Sequence, residues 1–248
     1  MTERGSGGVQ SLHRAVAVLE ALADAAGPMA FRDIADAVGL PQPTTHRLLQ
    51  TLVDCGYARQ LSDRRYALGF RLVRLGAVAN RLVGADTEAV LAELVRELGE
   101  TANLAILAGD RAEYVAQAPS AHSMRMFTEV GRQVDLHATG VGKALMAQMP
   151  DSEVAAIVDR TGLVAHTPRT VTTRLGLQAA LAEVRAQGFA IDDEEQELGV
   201  RCVAMAIPAA AGFQAAVSVS GPVTRVDDAL VTRAVPLLRA AGRRLIGD

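Results

Sequence analysis

Apolar residues in the first part of the chain recur at spacings of three and four. Leu12, Val16, Leu19 and Ala23 predict an amphipathic helix over residues 9–22, with Ser11 as a possible cap. Ile34, Ala35 and Val38 predict a second helix over residues 31–38. Gly39 then breaks the pattern, Pro41 and Pro43 follow, and a new apolar stripe starts. Glycine suits the position just past a helix end, and proline suits the first turn of the next, where no amide donor is needed. The two prolines therefore mark a sharp turn between two helices. At about 100° per residue, Thr45, Leu48, Leu49 and Leu52 of the restarted helix gather on one side, and Pro43, His46, Arg47 and Gln50 on the other. The outward face reads as short, polar and singly basic, with no acid.

Residues 57–61 and 66–68 are short strand candidates flanking Ser62-Asp63-Arg64-Arg65, a hairpin tipped by two arginines. Residues 69–83 carry Leu72, Leu75, Val78, Ala79 and Leu82 on more than one side of a helix. Beyond Asp86 the pattern mixes helices (88–98, 142–149, 151–161, 175–187 and from 226) with strands (102–107, 112–118, 189–192, 202–207 and 215–220). No regular βαβ alternation emerges, so the class is α+β with an antiparallel-rich sheet. The expected division is a DNA-binding domain over 9–70, a linker helix over 71–85 and a second domain over 86–248.

Helix, tight turn and helix, followed by a basic hairpin, is the arrangement that places a helix in the major groove and a wing along phosphates. Arg47, His46 and Gln50 carry donors and acceptors suited to base edges or phosphates. Charge agrees. Residues 1–80 hold nine Arg against seven acids, and the rest sixteen basic residues against twenty-one acidic, within a net charge of −3. Cys55 and Cys202 form no metal spacing and fit a reducing cytoplasm. No apolar run is long enough to span a bilayer, and no signal peptide is read at the start.

Three stretches of the second domain are candidate ligand sites. His137-Ala-Thr-Gly-Val-Gly-Lys143 invites comparison with a phosphate loop but fails it, having His137 where glycine is required and Ala144 where Ser or Thr is. What remains is a glycine-marked helix start, whose free amides suit a small anion. Strand alternation puts Ser218 and Ser220 on one face and Val217 and Val219 on the other. The third stretch runs from Asp192 to Cys202, with Cys202 as a small buried hydrophobe and the acids 193–197 mostly a solvated turn. Cys202 with His137 as nucleophile and base lacks a third orienting group, and His137, Asp192 and Cys202 match no metal-ligand spacing, so neither an enzyme nor a metal or cofactor site is expected. Cys55 and Tyr57 read as packing residues.

The words QSLHRAVAVLEAL, DIADAVGLPQPTTHRLLQTL, GYAR, YALGFRLVRLG, LHATGVGKALMA, GFAIDDEEQELGVRCVAMAIP and AAVSVSGP, in this order, resemble the IclR family of bacterial transcriptional regulators. The resemblance implies a winged helix-turn-helix, a linker helix and a carboxy-terminal, GAF-like effector-binding domain. It implies DNA contacts from Gln42, Thr44, His46, Arg47, Gln50, Arg64 and Arg65. It also implies a homodimer, either alone or paired into a dimer of dimers, on a pseudo-palindromic double-stranded operator with half-sites about 34 Å apart or a related spacing. Pro43 stands where a small polar residue such as Ser is more usual, and a proline cannot donate a hydrogen bond to phosphate. The words SMRMFTEVGRQVDLHATGVGKAL and GVRCVAMAI are similar to those of the branch repressing allantoin-utilisation genes, in which glyoxylate is the effector. That likeness implies effector contacts from the Gly140 and Val141 amides, Asp192, the Val200 backbone, Cys202, Ser218 and Ser220. The chain has no Trp, which fits a small organic acid better than a roomy aromatic-stacking pocket.

Overall fold

The computed structural model describes residues 9–25, 27–82, 87–126, 128–207 and 214–245. The chain forms two compact units, Met1–Leu82 and Val83–Asp248.

The first unit packs α1 (Gln10–Asp24), α2 (Phe31–Val38) and α3 (Gln42–Asp54) around Val18, Leu22, Ile34, Leu49, Leu52 and Ala58. Gly39 closes α2 in the left-handed conformation at φ 62°, its amide bonding back to Ala35 and Asp36 carbonyls. Pro41 is the N-cap of α3, and Thr45, fully buried, turns its hydroxyl to the Leu40 and Pro41 carbonyls. Strands β1 (Ala58–Gln60) and β2 (Tyr66–Leu68) form the expected antiparallel hairpin, and Met29 adds a bridge to Tyr66. Helix α4 (Arg71–Leu82) ends this unit; residues 83–86 and the side chains of Ala79 and Leu82 lie outside the described residues.

Helix α1 differs from expectation. Its buried face is Val18 and Leu22, while Leu12 and Val16 are 64% and 52% exposed. Its N-cap is Val9 with no side-chain cap bond, so Ser11 lies inside the helix. The sequence carries two apolar stripes on one helix, and periodicity alone does not say which meets the core. Cys55, expected to pack, is exposed at the end of α3.

The second unit is a six-stranded antiparallel sheet in the order β5-β4-β3-β8-β7-β6, formed by β3 (Thr101–Ala108), β4 (Arg111–Ala118), β5 (Gln133–Asp135), β6 (Ala190–Asp193), β7 (Val200–Ile207) and β8 (Ala215–Pro222). On one face α5 (Thr87–Leu98) and α9 (Asp228–Leu245) cover Val203, Met205, Val217 and Val219. On the other, α6 (Gly140–Met146), α7 (Asp151–Thr161) and α8 (Arg174–Gln187) cover Ala105, Ala112, Ala204 and Ala216. Strand β5, three residues at the sheet edge, had no signal strong enough to predict it. Among the described residues no helix is long and apolar enough to cross a membrane.

Candidate functional site

In the first unit the core side of α3 leaves Gln42, His46, Arg47 and Gln50 exposed and Thr44 half-buried. The His46 ring rests edge-on against Phe31 at 6.1 Å, which restricts its swing. Among the described residues Arg47 has no side-chain partner. The face does carry an acid: α3 runs to Asp54, whose carboxylate accepts a 2.9 Å bond from Gln50 one turn earlier. The hairpin tip is also less basic than its sequence. Asp63 pairs with Arg65 at 2.7 Å, and the Arg65 guanidinium holds the Asp63 carboxyl below its usual range. Arg64, at φ 64°, has no side-chain partner among the described residues and is left as the tip's cation.

In the second unit the sheet register aligns chemistry that the sequence scatters. Asp192 sits opposite Cys202, and Cys202 opposite Ser220, in a row across β6, β7 and β8. The next row holds Ala204, Ser218, Asn103 and Gln117. Both rows face α6. A slot of about 20 Å³, lined by Asp192, Cys202, Ser220, Val200, Tyr114 and Thr139 among others, opens beside them. That is room for about one water molecule.

The start of α6 lies against the same row because two glycines allow it. A Cβ on Gly140 would stand 3.1 Å from Cys202 Sγ, and one on Gly142 only 2.2 Å from the Leu136 carbonyl oxygen. Thr139 caps the helix by accepting from the Gly142 amide at 3.1 Å. Helix geometry leaves the first amides, including those of Gly140 and Val141, without intrahelical acceptors. Gly140, Val141 and Ser218 stand behind the open space of the slot rather than lining it.

Asp192, Cys202, Ser218, Ser220 and Asn103 are all buried. Asp192 Oδ1 accepts from the Glu195 amide at 2.8 Å and more weakly from that of Gln196. Burial pushes the Asp192 carboxyl up to about 7, against the pull of the Glu195 amide and the Lys143 charge; the Glu195 charge adds to the rise. Burial also pushes the Cys202 thiol up to about 12, with the Asp192 charge adding and Ser218 opposing. A thiol so held is a neutral packing group rather than a nucleophile. Tyr114 is raised as well, mainly by burial. Ser220 accepts from Asn103 Nδ2 at 3.2 Å, and Gln117 donates to Asn103 at 3.3 Å, so the Ser220 proton remains free to donate. The Ser218 hydroxyl is fully buried and, beyond a weak approach to the Cys202 thiol, has no hydrogen-bond partner among the described residues.

Sequence reasoning missed part of this arrangement. Glu195, placed in a solvated turn, is buried and forms an ion pair with buried Lys143. Asn103 and Gln117 stood in strands with no motif to mark them. His137 engages the Val164 carbonyl at 2.9 Å and stacks on His166.

Two family descriptions match the chain: the IclR helix-turn-helix domain over residues 11–62, and the bacterial transcriptional regulator IclR C-terminal domain over residues 76–246. The chain belongs to the IclR family of bacterial transcriptional regulators. It is 37% identical over 244 residues to the transcriptional repressor IclR of Escherichia coli K12, covering 93% of this chain and 86% of that protein. It is 34% identical over 246 residues to the repressor AllR of Klebsiella pneumoniae, covering 96% and 89%. The margin between them gives only weak support to a special closeness to the allantoin branch. An IclR transcriptional regulator from Silicibacter sp. TM1040 superposes with TM-score 0.86 at 28% identity, covering 95% of this chain and 94% of that one. These relatives are transcriptional regulators rather than enzymes, and in this IclR-family chain the exposed face of α3 belongs to the DNA-binding helix-turn-helix.

Proposed function

We propose that this IclR-family protein is an effector-controlled repressor whose second unit senses a small 2-oxo acid such as glyoxylate. It works in the cytoplasm as a homodimer, pairing further as a dimer of dimers, on a pseudo-palindromic operator. The observation that carries the effector reading is the buried row Asp192–Cys202–Ser220 with the unpartnered Ser218 hydroxyl behind it. A buried hydroxyl without a partner costs free energy unless a ligand supplies one. Ser220 accepts from Asn103 with one lone pair and keeps its proton to donate to an effector oxygen. Asp192 in its protonated form donates to a carboxylate; ionised, it accepts from a hydrated oxo group. The Gly140 and Val141 amides add donors at the helix start.

The slot is too small for even a two-carbon acid as it stands, so loading moves its walls. A ligand shifts operator affinity only if it binds one arrangement better than another, and a slot that must widen to load is a natural input to such a switch. On the DNA side, Gln42, Thr44, His46, Arg47 and Gln50 meet the duplex from α3, and Arg64 and Arg65 meet it from the hairpin. Arg47 is the anchor, and Arg65 must share its charge with Asp63.

Two measurements test this. Arg47→Ala should weaken binding to the gene's own promoter by about 1–3 kcal/mol at matched salt; unchanged affinity rejects the α3 assignment. A thermal-shift panel of glyoxylate, pyruvate, allantoin and simple aromatic acids should raise the melting temperature with the 2-oxo acids. A response to an aromatic acid alone rejects the effector choice.

A further inference from the structure

The slot has a second polar wall that no residue of the expected effector set occupies. Met126, Thr128 and Arg132, from the segment between β4 and β5, line it. Ser120 fixes one end, its hydroxyl donating to the Gly99 carbonyl at 2.5 Å and its amide to Thr101 Oγ1 at 3.2 Å. Arg225, held by buried Glu100, donates to the Met124 carbonyl at 2.8 Å. Thr101 donates to the Met126 carbonyl, and the Gly131 amide to the Tyr114 carbonyl at 2.7 Å. Thr128 lines the slot at only 4% exposure, and among the described residues its hydroxyl has no hydrogen-bond partner. Gln196 also lines the slot, and among the described residues its buried side-chain oxygen is likewise unpartnered.

Charge defines what this wall accepts. Arg132 and Glu197 both line the slot, but both are exposed, so solvent screens their charges. The groups that remain are neutral: a hydroxyl and a carboxamide, each able to donate and to accept. They suit an alcohol better than a second carboxylate or a methyl group. Resting on the acid-sensing reading above, we infer that Thr128, with Gln196, forms a hydroxyl-selecting subsite, and that the effector is a short 2-oxo or 2-hydroxy acid bearing a further hydroxyl on its tail. A site whose buried polar groups expect a substrate hydroxyl rejects the analogue lacking it, because those groups then stay unpaired.

Pyruvate and 3-hydroxypyruvate differ by that one hydroxyl, and lactate and glycerate repeat the comparison. Calorimetry on the full chain should find the hydroxylated member of each pair bound about tenfold more tightly, the worth of one well-made neutral hydrogen bond. Thr128→Val, of nearly the same shape, should bring the two members within about threefold without weakening pyruvate, while Thr128→Ser keeps the preference. The empty Val variant should melt no lower than the parent, since it loses an unpartnered buried hydroxyl; a structural role for Thr128 predicts a lower melting point. Equal affinity for both members in the parent, or a preference that survives in Thr128→Val, overturns the subsite while leaving the acid reading intact. Failure of every acid, glyoxylate included, overturns both.

Discussion

At the scale of single residues, Asp192 is the group whose chemistry is most displaced by the fold. Its ordinary value is 3.8 and its folded value about 7, raised chiefly by burial. The folded protein therefore keeps a proton that the unfolded chain releases, and stability falls as pH rises through that window. Lys143, Glu195, Cys202 and Tyr114 are the titratable groups that face it from α6, the β6–β7 turn, β7 and β4. A bound carboxylate favours the protonated form, so affinity for glyoxylate should drop by up to about tenfold per pH unit above 7. In Asp192→Asn, which cannot titrate, both the slope of stability between 4 and 7 and the fall in affinity above 7 should flatten. Denaturant melts and calorimetry across pH check this. A steep profile retained in the Asn variant assigns the titration to another group.

At the scale of elements, the site depends on α6 and the β6–β7 turn keeping company. The buried Lys143–Glu195 pair joins them, one charge from each. Removing one partner of a buried pair strands the other, at a cost of about 3–5 kcal/mol, whereas replacing both with apolar groups is close to neutral. Lys143→Met should thus lower unfolding free energy markedly and Lys143→Met/Glu195→Leu should recover most of it; equal losses in single and double variants mean that packing, not charge, holds the two elements. Much of the element plan was legible in the sequence because it rests on local signals. Gly39 and the two prolines set the turn before α3, and alternation put Ser218 and Ser220 on one face. Burial and register were not local. Nothing near Glu195 distinguishes it from its exposed neighbour Glu197, since its partner lies 52 residues earlier. The Asp192–Cys202–Ser220 row exists only once three strands align. Helix α1 offered two apolar stripes, and only packing chose between them. Asp54 was hidden because the outward face of α3 is a turn longer than the motif suggested.

At the scale of the whole molecule, the stripe that α1 does not bury has a consequence for assembly. Val9, Leu12 and Val16 are exposed on it, and Phe70 just before α4 and Val73 within it are 74% and 70% exposed. Exposed apolar surface of this kind marks an interaction face, and a twofold dimer needs a self-complementary one. Leu12→Glu/Val16→Glu should shift the protein toward lower mass in sedimentation and weaken operator binding together; a variant that stays fully associated removes α1 from the interface. Regulation requires coupling between the effector slot and the DNA-facing helix. The direct measurement is fluorescence anisotropy on the gene's own upstream duplex at fixed ionic strength, with and without saturating 2-oxo acid. We expect sequence-selective binding whose affinity changes at least about fivefold when the acid is present, and no change in the Asp192→Asn/Ser218→Ala variant. An acid that binds the protein yet leaves operator affinity where it was contradicts the claim.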